Sequence, residues 1–164
     1  MEQTLTFEEL DQLLGEQAPF LSSLSDGPDN ELQVVISAAI VGEVGTGIRP
    51  EVTGALRDIL SECRPITPNS NAMYEIFFEN YILYQTRNES FTSYAPEEIR
   101  SGNFLITFES SRLLDSIPLF SDAFHSDDGT YYPGPWKHYG IYTQNHIIDV
   151  ISHCPPSVTL IQGK

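Results

Sequence analysis

Apolar residues are concentrated in two stretches of the chain, and both have the pattern of β-strands. Leu32 to Val41 is nearly continuous in apolar, largely β-branched residues between turn formers, which is typical of a buried strand. Met73 to Ser90 starts with aromatic and branched residues at alternate positions, is interrupted by Glu79-Asn80, and then resumes. We predict that it is the central strand of the fold and that it bends at this polar pair, as a β-bulge would cause.

The N-terminal segment predicts a short helix over residues 7–14. Thr6 and Glu9 have the spacing of a capping box, and Gly15 follows where a helix commonly ends. The apolar stripe of this helix consists of Phe7, Leu10, Leu13 and Leu14. The polar residues between them, Asp11 included, are therefore predicted to face solvent.

Two other helices are predicted further along the chain. Pro50 suits a first helical position and opens a helix that reaches about Glu62. The apolar side of that helix consists of Val52, Ala55, Leu56, Ile59, Leu60 and Cys63. Ser110 is predicted to cap a short helix that Pro118 ends, and Ala18 to Leu24 is predicted to be an irregular turn or a short helix.

The second half of the chain contains several short segments that the sequence predicts to be β-strands. Phe104, Ile106 and Phe108 stand at alternate positions, and this spacing predicts a strand. Residues 136–143 and 146–152 are predicted to form a hairpin joined at Gln144-Asn145, because Asn tolerates a left-handed conformation. Val158 to Ile161 is predicted to add a last edge strand.

Strands outnumber helices in this pattern, and several neighbouring strands are joined by short polar turns. Such turns favour antiparallel pairing, and a chain of 164 residues fits one domain. We therefore predict a single α+β domain over residues 1–164, with a curved, mainly antiparallel sheet and two or three helices packed on one face.

The charge balance of the chain indicates which classes of partner the protein can bind. The chain has 23 acidic and 8 basic residues, a net charge of −15, and its first 48 residues contain nine acids and no Lys or Arg. A field of this sign repels phosphate backbones and anionic membranes and attracts basic partners. We therefore expect no nucleic-acid or membrane partner, and a basic protein as a possible one.

Cysteine usage and the N-terminal sequence bear on the compartment. Cys63 and Cys154 are far apart in the chain and have no CxxC spacing, so we expect two reduced thiols. The first ten residues lack the basic and apolar regions of a secretory signal, and no apolar run approaches 18 residues. These features predict a soluble cytoplasmic protein.

Motifs that would indicate catalysis or a cofactor are weak in this chain. The segment Gly42 to Gly47 lies between a predicted strand and helix, but it lacks the Lys-Ser/Thr pair of a phosphate-binding loop. His146 and Asp149 would lie on opposite faces of a strand, which does not suit a shared metal. We therefore predict no catalytic residues, no cofactor and no metal.

Five residues are candidates for contacts with a ligand or a partner. Trp136, His138 and Tyr142 share one face of their predicted strand, where aromatic rings either line a groove or pack in the core. Arg87 and Glu89 lie in the polar turn that ends the long predicted strand.

The predicted hairpin also specifies which residues lie opposite these candidates. A two-residue loop would pair His138 with Ile151 and Tyr142 with Ile147, so that His138 and His146 do not face each other.

The segments from Tyr74 to Ser90 and from Lys137 to Ser152 resemble stretches of small bacterial proteins that have no assigned activity. The resemblance covers about a third of the chain and implies a bacterial single-domain protein. In its small size and acidity the chain is also similar in general character to immunity proteins that neutralise toxins.

Two classes of function follow. The first is a non-enzymatic interaction module that engages a basic partner, with toxin neutralisation as its most concrete form. The alternative is a small-molecule binding protein or enzyme that uses an aromatic-lined groove on the sheet. A homodimer joined through an edge strand such as Val158 to Ile161 is a further possibility.

Overall fold

The structure, a computed structural model, describes residues 4–161, and these contain twelve strands and three α-helices. The strands are β1 (Thr4–Leu5), β2 (Phe20–Asp26), β3 (Leu32–Val41), β4 (Ile66–Phe78), β5 (Leu83–Asn88), β6 (Ile99–Ser101), β7 (Leu105–Ser110), β8 (Phe124–His125), β9 (Tyr131–Tyr132), β10 (Lys137–Tyr142), β11 (His146–Ser152) and β12 (Ser157–Ile161). The helices are α1 (Phe7–Leu14), α2 (Gly54–Ser61) and α3 (Arg112–Ser116).

Every described strand pair is antiparallel, which confirms the predicted α+β class. The strands divide between two five-stranded sheets. The first sheet has the order β1-β12-β4-β3-β2, and the second has the order β5-β11-β10-β7-β6. Within residues 4–161 the short strands β8 and β9 pair only with each other.

The two sheets bury a shared core between them. Alternate residues of each strand point to the same face, so one face of each sheet supplies the apolar side chains. The core residues of the first sheet include Leu32, Val34, Ile36, Tyr74, Ile76, Phe78 and Val158, and those of the second include Leu105, Tyr139, Ile141, Ile148 and Val150. The ring of Tyr139 meets those of Phe7 and Phe78 edge to face, with centroids 5.5 Å apart in both pairs.

The stretch from Met73 to Ser90 contributes to both sheets. Its first part belongs to β4 and its second part is β5, which pairs with β11 in the other sheet. The predicted bend at Glu79-Asn80 is where the chain crosses between the sheets. The stretch is therefore two strands that close the sandwich, whereas one central strand was predicted.

Helix α1 has the predicted capping box. The Thr6 amide donates to Glu9 Oε2 at 2.7 Å, and the Glu9 amide donates to Thr6 Oγ1 at 3.1 Å. The prediction was wrong about two positions on this helix, since Leu13 is exposed and Asp11 is buried. Asp11 faces inward because backbone N–H groups there donate hydrogen bonds to its carboxylate.

Those donors are three consecutive backbone amides at the start of β7. The Asp11 carboxylate accepts hydrogen bonds from the N–H groups of Asn103, Phe104 and Leu105, at 2.7–2.8 Å. A carboxylate that accepts several backbone N–H groups is held strongly, so this contact fixes α1 against the start of β7 in the second sheet.

Residues 39–68, which we call the arm, extend beyond the rest of the first sheet. β2 pairs with β3 only as far as Ser37, and β12 pairs with β4 only from Met73, so the described part of the arm's ribbon has two strands. The helix at the tip was predicted to begin at Pro50 but begins at Gly54. It was also predicted to bury its apolar side, yet none of its residues is buried.

Two other segments differ from the sequence prediction. Ala18 to Leu24 was predicted as a turn or helix, but most of it lies in β2, which pairs with β3. Val158 to Ile161 was predicted as an edge strand, but β12 lies between β1 and β4. β2 pairs with the next strand across the connection at residues 27–31, whereas β12 pairs with two strands that are distant in sequence.

A membrane-spanning helix would need a long apolar run, and none of the helices within residues 4–161 is long and apolar enough to cross a bilayer.

Candidate functional site

The face of the second sheet that points away from the shared core carries a network of buried polar side chains. Tyr139, Ile141 and Ile148 point into the core, so residues one position away on the same strands point to this outer face. The hairpin register is as predicted, with His138 opposite Ile151 and Tyr142 opposite Ile147. That register also places Asp149 opposite Gly140, on the same face as His138.

Asp149 is the centre of this network. Its Oδ2 accepts hydrogen bonds from Arg87 Nε at 2.8 Å and from Gln85 Nε2 at 3.0 Å. Its Oδ1 lies 3.2 Å from Arg87 Nη2 and 2.9 Å from His138 Nε2. The carboxylate is buried, and all of its partners come from neighbouring strands of the second sheet.

His138 connects Asp149 to helix α3. Because the Asp149 carboxylate only accepts, Nε2 of His138 carries the proton on that side. On the other side of the ring, Nδ1 lies 2.8 Å from the Ser111 hydroxyl oxygen, within hydrogen-bond distance. Ser111 Oγ also accepts the Leu114 amide at 3.1 Å, so the N-cap of α3 is Ser111 and not Ser110 as predicted.

The environment shifts the pKa values of three groups in this region. Burial raises the pKa of Asp149, but hydrogen bonds from His138, Arg87 and Gln85 outweigh burial and leave it below its ordinary value. Burial lowers the pKa of Arg87, and its contacts with Asp149 raise it above the ordinary value. Burial and the Asp149 charge raise the pKa of the half-buried Tyr142.

Ser111, His138 and Asp149 are the residue types of a hydrolytic triad. Their burial and contacts instead indicate that they connect α3 to the second sheet. Only 2% of Ser111 and 2% of His138 is exposed. The Ser111 oxygen is occupied by the helix cap, and the Phe108 ring stacks on the imidazole at 4.0 Å. A substrate carbonyl therefore has no path to the hydroxyl, and the network instead ties α3 to the sheet.

The lowered pKa of Asp149 predicts a contribution to stability that depends on pH. The unfolded carboxyl has a pKa of about 3.9, and the folded value lies below it. The contribution is therefore complete above about pH 4 and is lost as pH falls through the folded pKa. We expect the difference in unfolding free energy between the wild type and Asp149→Asn to shrink as pH is lowered from about 6 to about 3.

Urea unfolding at each pH measures this difference. Asp58→Asn, which changes an exposed carboxyl on α2, is the control for the loss of one acidic charge. A difference between wild type and Asp149→Asn that stays constant over this range would contradict a lowered pKa for Asp149.

A cavity of about 590 Å³ lies beside the network, between the β6–β7 edge, α3 and the β8–β9 pair. The Phe108 side of this cavity is shared with the network, because Phe108 lines the cavity and stacks on His138. Charged residues of both signs and three packed rings are among its other lining residues. They are Arg100, Glu109, Asp115, Lys137, His125, Tyr131 and Trp136.

The structure distributes the five candidate residues over three places. Trp136 is buried at the cavity, and its indole N–H donates to the Tyr132 carbonyl at 3.3 Å. His138 and Arg87 belong to the network, and Tyr142 lies beside Arg87. Glu89 lies apart from them, in an exposed 3₁₀ turn after β5.

Sequence reasoning missed the acid that holds the network together. The predicted register already placed Asp149 on the face of His138, and an acid in the middle of the apolar strand HIIDVIS was a usable signal. Ser111, Gln85 and Phe108 gave no such signal, because their contacts with the network depend on pairing between distant strands.

Within residues 4–161 no three His, Cys, Asp or Glu side chains are grouped so that they could hold a metal ion. Comparisons with known protein families, curated proteins and solved structures find no match for this chain.

Proposed function

We propose that the protein is a non-enzymatic interaction module and that the arm is the element with which it binds a basic partner protein. The observation that carries this proposal is the unpartnered helix α2. Leu56 and Ile59 are three residues apart and so lie on one helix face, and 56% and 61% of them is exposed. Val41 and Ile66, which pair across the ribbon, are exposed as well.

Exposed large apolar side chains grouped on one projecting element are typical of protein interaction surfaces. The arm has no described neighbour that covers them. A partner that covers this helix face removes its apolar surface from water. This burial favours binding, because the protein's own fold leaves the surface exposed.

The charge of the protein indicates the chemistry of that partner. Among residues 4–48, none of the acids makes a salt bridge within the described part of the chain, and most of these acids are exposed. With a net charge of −15, the protein attracts a basic partner over distances longer than a contact. Apolar contacts with the arm would then supply affinity, and electrostatics would supply the rate of association.

We propose that this interaction takes place in the reducing cytoplasm and that the protein acts there as a single domain. Cys63 is a free, exposed thiol on the arm, and such thiols persist where disulfides do not form. A basic toxin neutralised by this protein is the most concrete form of the proposed partner.

Replacing Leu56 and Ile59 together by Gln should abolish partner capture and leave the fold intact. Both side chains are exposed, so the double variant should keep its stability within about 0.5 kcal/mol. The measurement is affinity capture from extracts of the native host at about 0.05 M and about 0.5 M salt, which changes the Debye length several-fold. We expect a basic protein whose recovery falls at the higher salt and is lost with the double variant.

Leu119→Gln is the matched control, because Leu119 is 83% exposed and lies outside the arm. Recovery that is equal with the double variant and with Leu119→Gln would refute the arm as the docking element. Recovery of only acidic or neutral proteins would refute the electrostatic part.

A further inference from the structure

One edge of β3 has no neighbouring strand along the arm. β2 pairs with β3 only as far as Ser37, and the chain before β2 is held at the β10–β11 turn. There the Gln144 backbone N–H donates to the Pro19 carbonyl, and Gln144 Nε2 donates to the Ala18 carbonyl, both at 2.9 Å. Within the described part of the chain, the β3 edge at residues 39–41 is therefore unpaired.

The backbone of this edge directs hydrogen-bonding groups outward at two residues. The Gly42 N–H donates to the Pro65 carbonyl across the ribbon, at 2.8 Å, so Gly42 faces β4. Successive pairs in an antiparallel ladder alternate between hydrogen-bonded and non-hydrogen-bonded, so Ile40 faces β4 as well. The N–H and C=O groups of Ala39 and Val41 therefore face the opposite way, toward the unpaired edge. Within residues 4–161 neither residue has a hydrogen-bonded neighbour on that side.

The other edge of the ribbon belongs to β4 and is interrupted. Pro68 lies opposite Ala39 and has no N–H to donate. Beyond Pro68, residues 69–72 all lie opposite Ala38 as a bulge, which breaks the regular ladder. The outward N–H of Ile66 is therefore an isolated donor on that edge, and the edge of β3 is the better template for a further strand.

Apolar side chains border the β3 edge on both faces of the ribbon. Successive residues of a strand point to opposite faces, so Ile40 lies on one face and Val41 on the other. Both side chains are exposed. A strand beside them places its own side chains next to an apolar neighbour on each face, which favours apolar or β-branched residues at its centre.

The charge around this edge favours a basic segment over a second copy of the chain. The edge lies within the first 48 residues, which contain nine acids and no Lys or Arg. Glu43, two residues beyond Val41, is exposed and makes no salt bridge within the described residues. Two copies that each carry −15 repel one another, whereas a segment with Lys or Arg is attracted.

We propose that an extended segment of the basic partner binds the arm as an added strand, paired with Ala39 and Val41 at the edge of β3. The segment has apolar or β-branched residues at its centre and Lys or Arg on both sides. Main-chain hydrogen bonds supply affinity in this mode of recognition, and the flanking charges supply attraction. The inference rests on the proposed function of the arm and specifies the backbone conformation of the segment that binds there.

The blocked peptide acetyl-KKVTVKK-amide is the probe for this edge, and amide hydrogen exchange of the full chain, followed by NMR, is the measurement. In the free protein the amides of Ala39 and Val41 should exchange faster than that of Ile40, which is bonded across the ribbon. Saturating peptide should slow exchange of both at least about tenfold. Exchange of the Ile66 amide, on the opposite edge, should not change.

Two matched peptides separate the contribution of hydrogen bonds from that of charge. The first carries N-methyl groups on its central Val-Thr-Val and so keeps the charge but loses the donors. The second, acetyl-EEVTVEE-amide, keeps the donors and reverses the charge. Each should bind at least about tenfold more weakly than the basic peptide, the effect expected from losing two hydrogen bonds or the charge attraction.

Two proline variants assign the edge. Val41→Pro removes an outward N–H from the β3 edge, and Ile66→Pro, the matched control, removes the outward N–H of its cross-strand partner. Neither donor bonds across the ribbon, so both variants should keep slow exchange of the Ile40 amide. Val41→Pro should weaken binding of the basic peptide at least about tenfold, and Ile66→Pro should leave it unchanged.

The inference is overturned if the basic peptide shows no saturable binding, or if it binds the Val41→Pro variant as tightly as the wild type. It is overturned as well if the N-methylated peptide binds as tightly as the unmodified one. Exchange at Ala39 and Val41 that slows with protein concentration in the absence of peptide would show that a second copy occupies the edge, which also contradicts the inference.

Capture of the partner separates this inference from the proposed function. A basic protein that is recovered equally with the wild type and with Val41→Pro, but is lost with the Leu56 and Ile59 double variant, would refute the added strand. The same result would leave the arm as the docking element.

Discussion

Replacing Asp149 by alanine should lower the free energy of unfolding by about 3–5 kcal/mol, the range expected when one partner of a buried ion pair is removed. The carboxylate is buried and accepts hydrogen bonds from Arg87, Gln85 and His138. Its removal leaves the Arg87 guanidinium and the His138 imidazole without their acceptor. The buried imidazole and the partly buried guanidinium are then desolvated without that hydrogen-bond acceptor.

Urea unfolding followed by circular dichroism measures this loss. Asp58→Ala is the matched control, because Asp58 lies exposed on α2 and should change stability by no more than about 0.5 kcal/mol. Arg87→Ala combined with Asp149→Ala should cost less than the sum of the two single changes, since the two residues are in contact. A loss below about 1 kcal/mol for Asp149→Ala would show that the network is not a stabilising element.

The second large effect is expected at Asp11, where Asp11→Ala should cost about 3–4 kcal/mol. The carboxylate accepts three backbone N–H groups at the start of β7, and hydrogen bonds to a charged group contribute about 1.5–3 kcal/mol each. Water can reach the exposed Asn103 and accept a hydrogen bond from its amide, which offsets part of the lost stability. The buried Leu105 amide, by contrast, is left without an acceptor.

Gln12→Ala is the control for Asp11→Ala, because Gln12 is the exposed neighbour on the same helix. Hydrogen exchange of the Leu105 amide provides a second measurement, and it should accelerate more than exchange in the middle of β11. Equal stability of the two alanine variants would show that α1 is held by its apolar side chains alone.

The buried network and the cavity are related through two shared elements. Phe108 stacks on His138 and lines the cavity, and α3 is capped by Ser111 and supplies Leu114 to the same cavity. Loss of Asp149 is therefore expected to loosen the cavity walls as well as the fold. The arm lies outside these contacts, so its proposed interaction can be tested without disturbing either.

Features that depend on neighbouring residues could be predicted from the sequence. The capping box of α1 needs only Thr6 and Glu9, and the β10–β11 register needs only the length of the Gln144-Asn145 loop. The α+β class follows in the same way, because alternation and short polar turns specify antiparallel neighbours.

The partners of a strand or helix could not be predicted in this way. The apolar alternation of β4 and β5 is the same whichever sheet each strand joins, so the stretch from Met73 to Ser90 looked like one strand. The amphipathic pattern of α2 predicted an apolar face, but a pattern does not say whether anything covers that face.

The sequence by itself determined the local elements, the antiparallel class and the acidic charge of this protein. Only the tertiary structure decided that Asp11 and Asp149 are buried, that Trp136 and Phe108 floor a cavity, and that α2 is left uncovered. The physical reason is the same in each case. Burial of a polar or aromatic side chain depends on donors and surfaces that lie far away in the sequence, and these become neighbours only when distant strands pair and the helices pack on them.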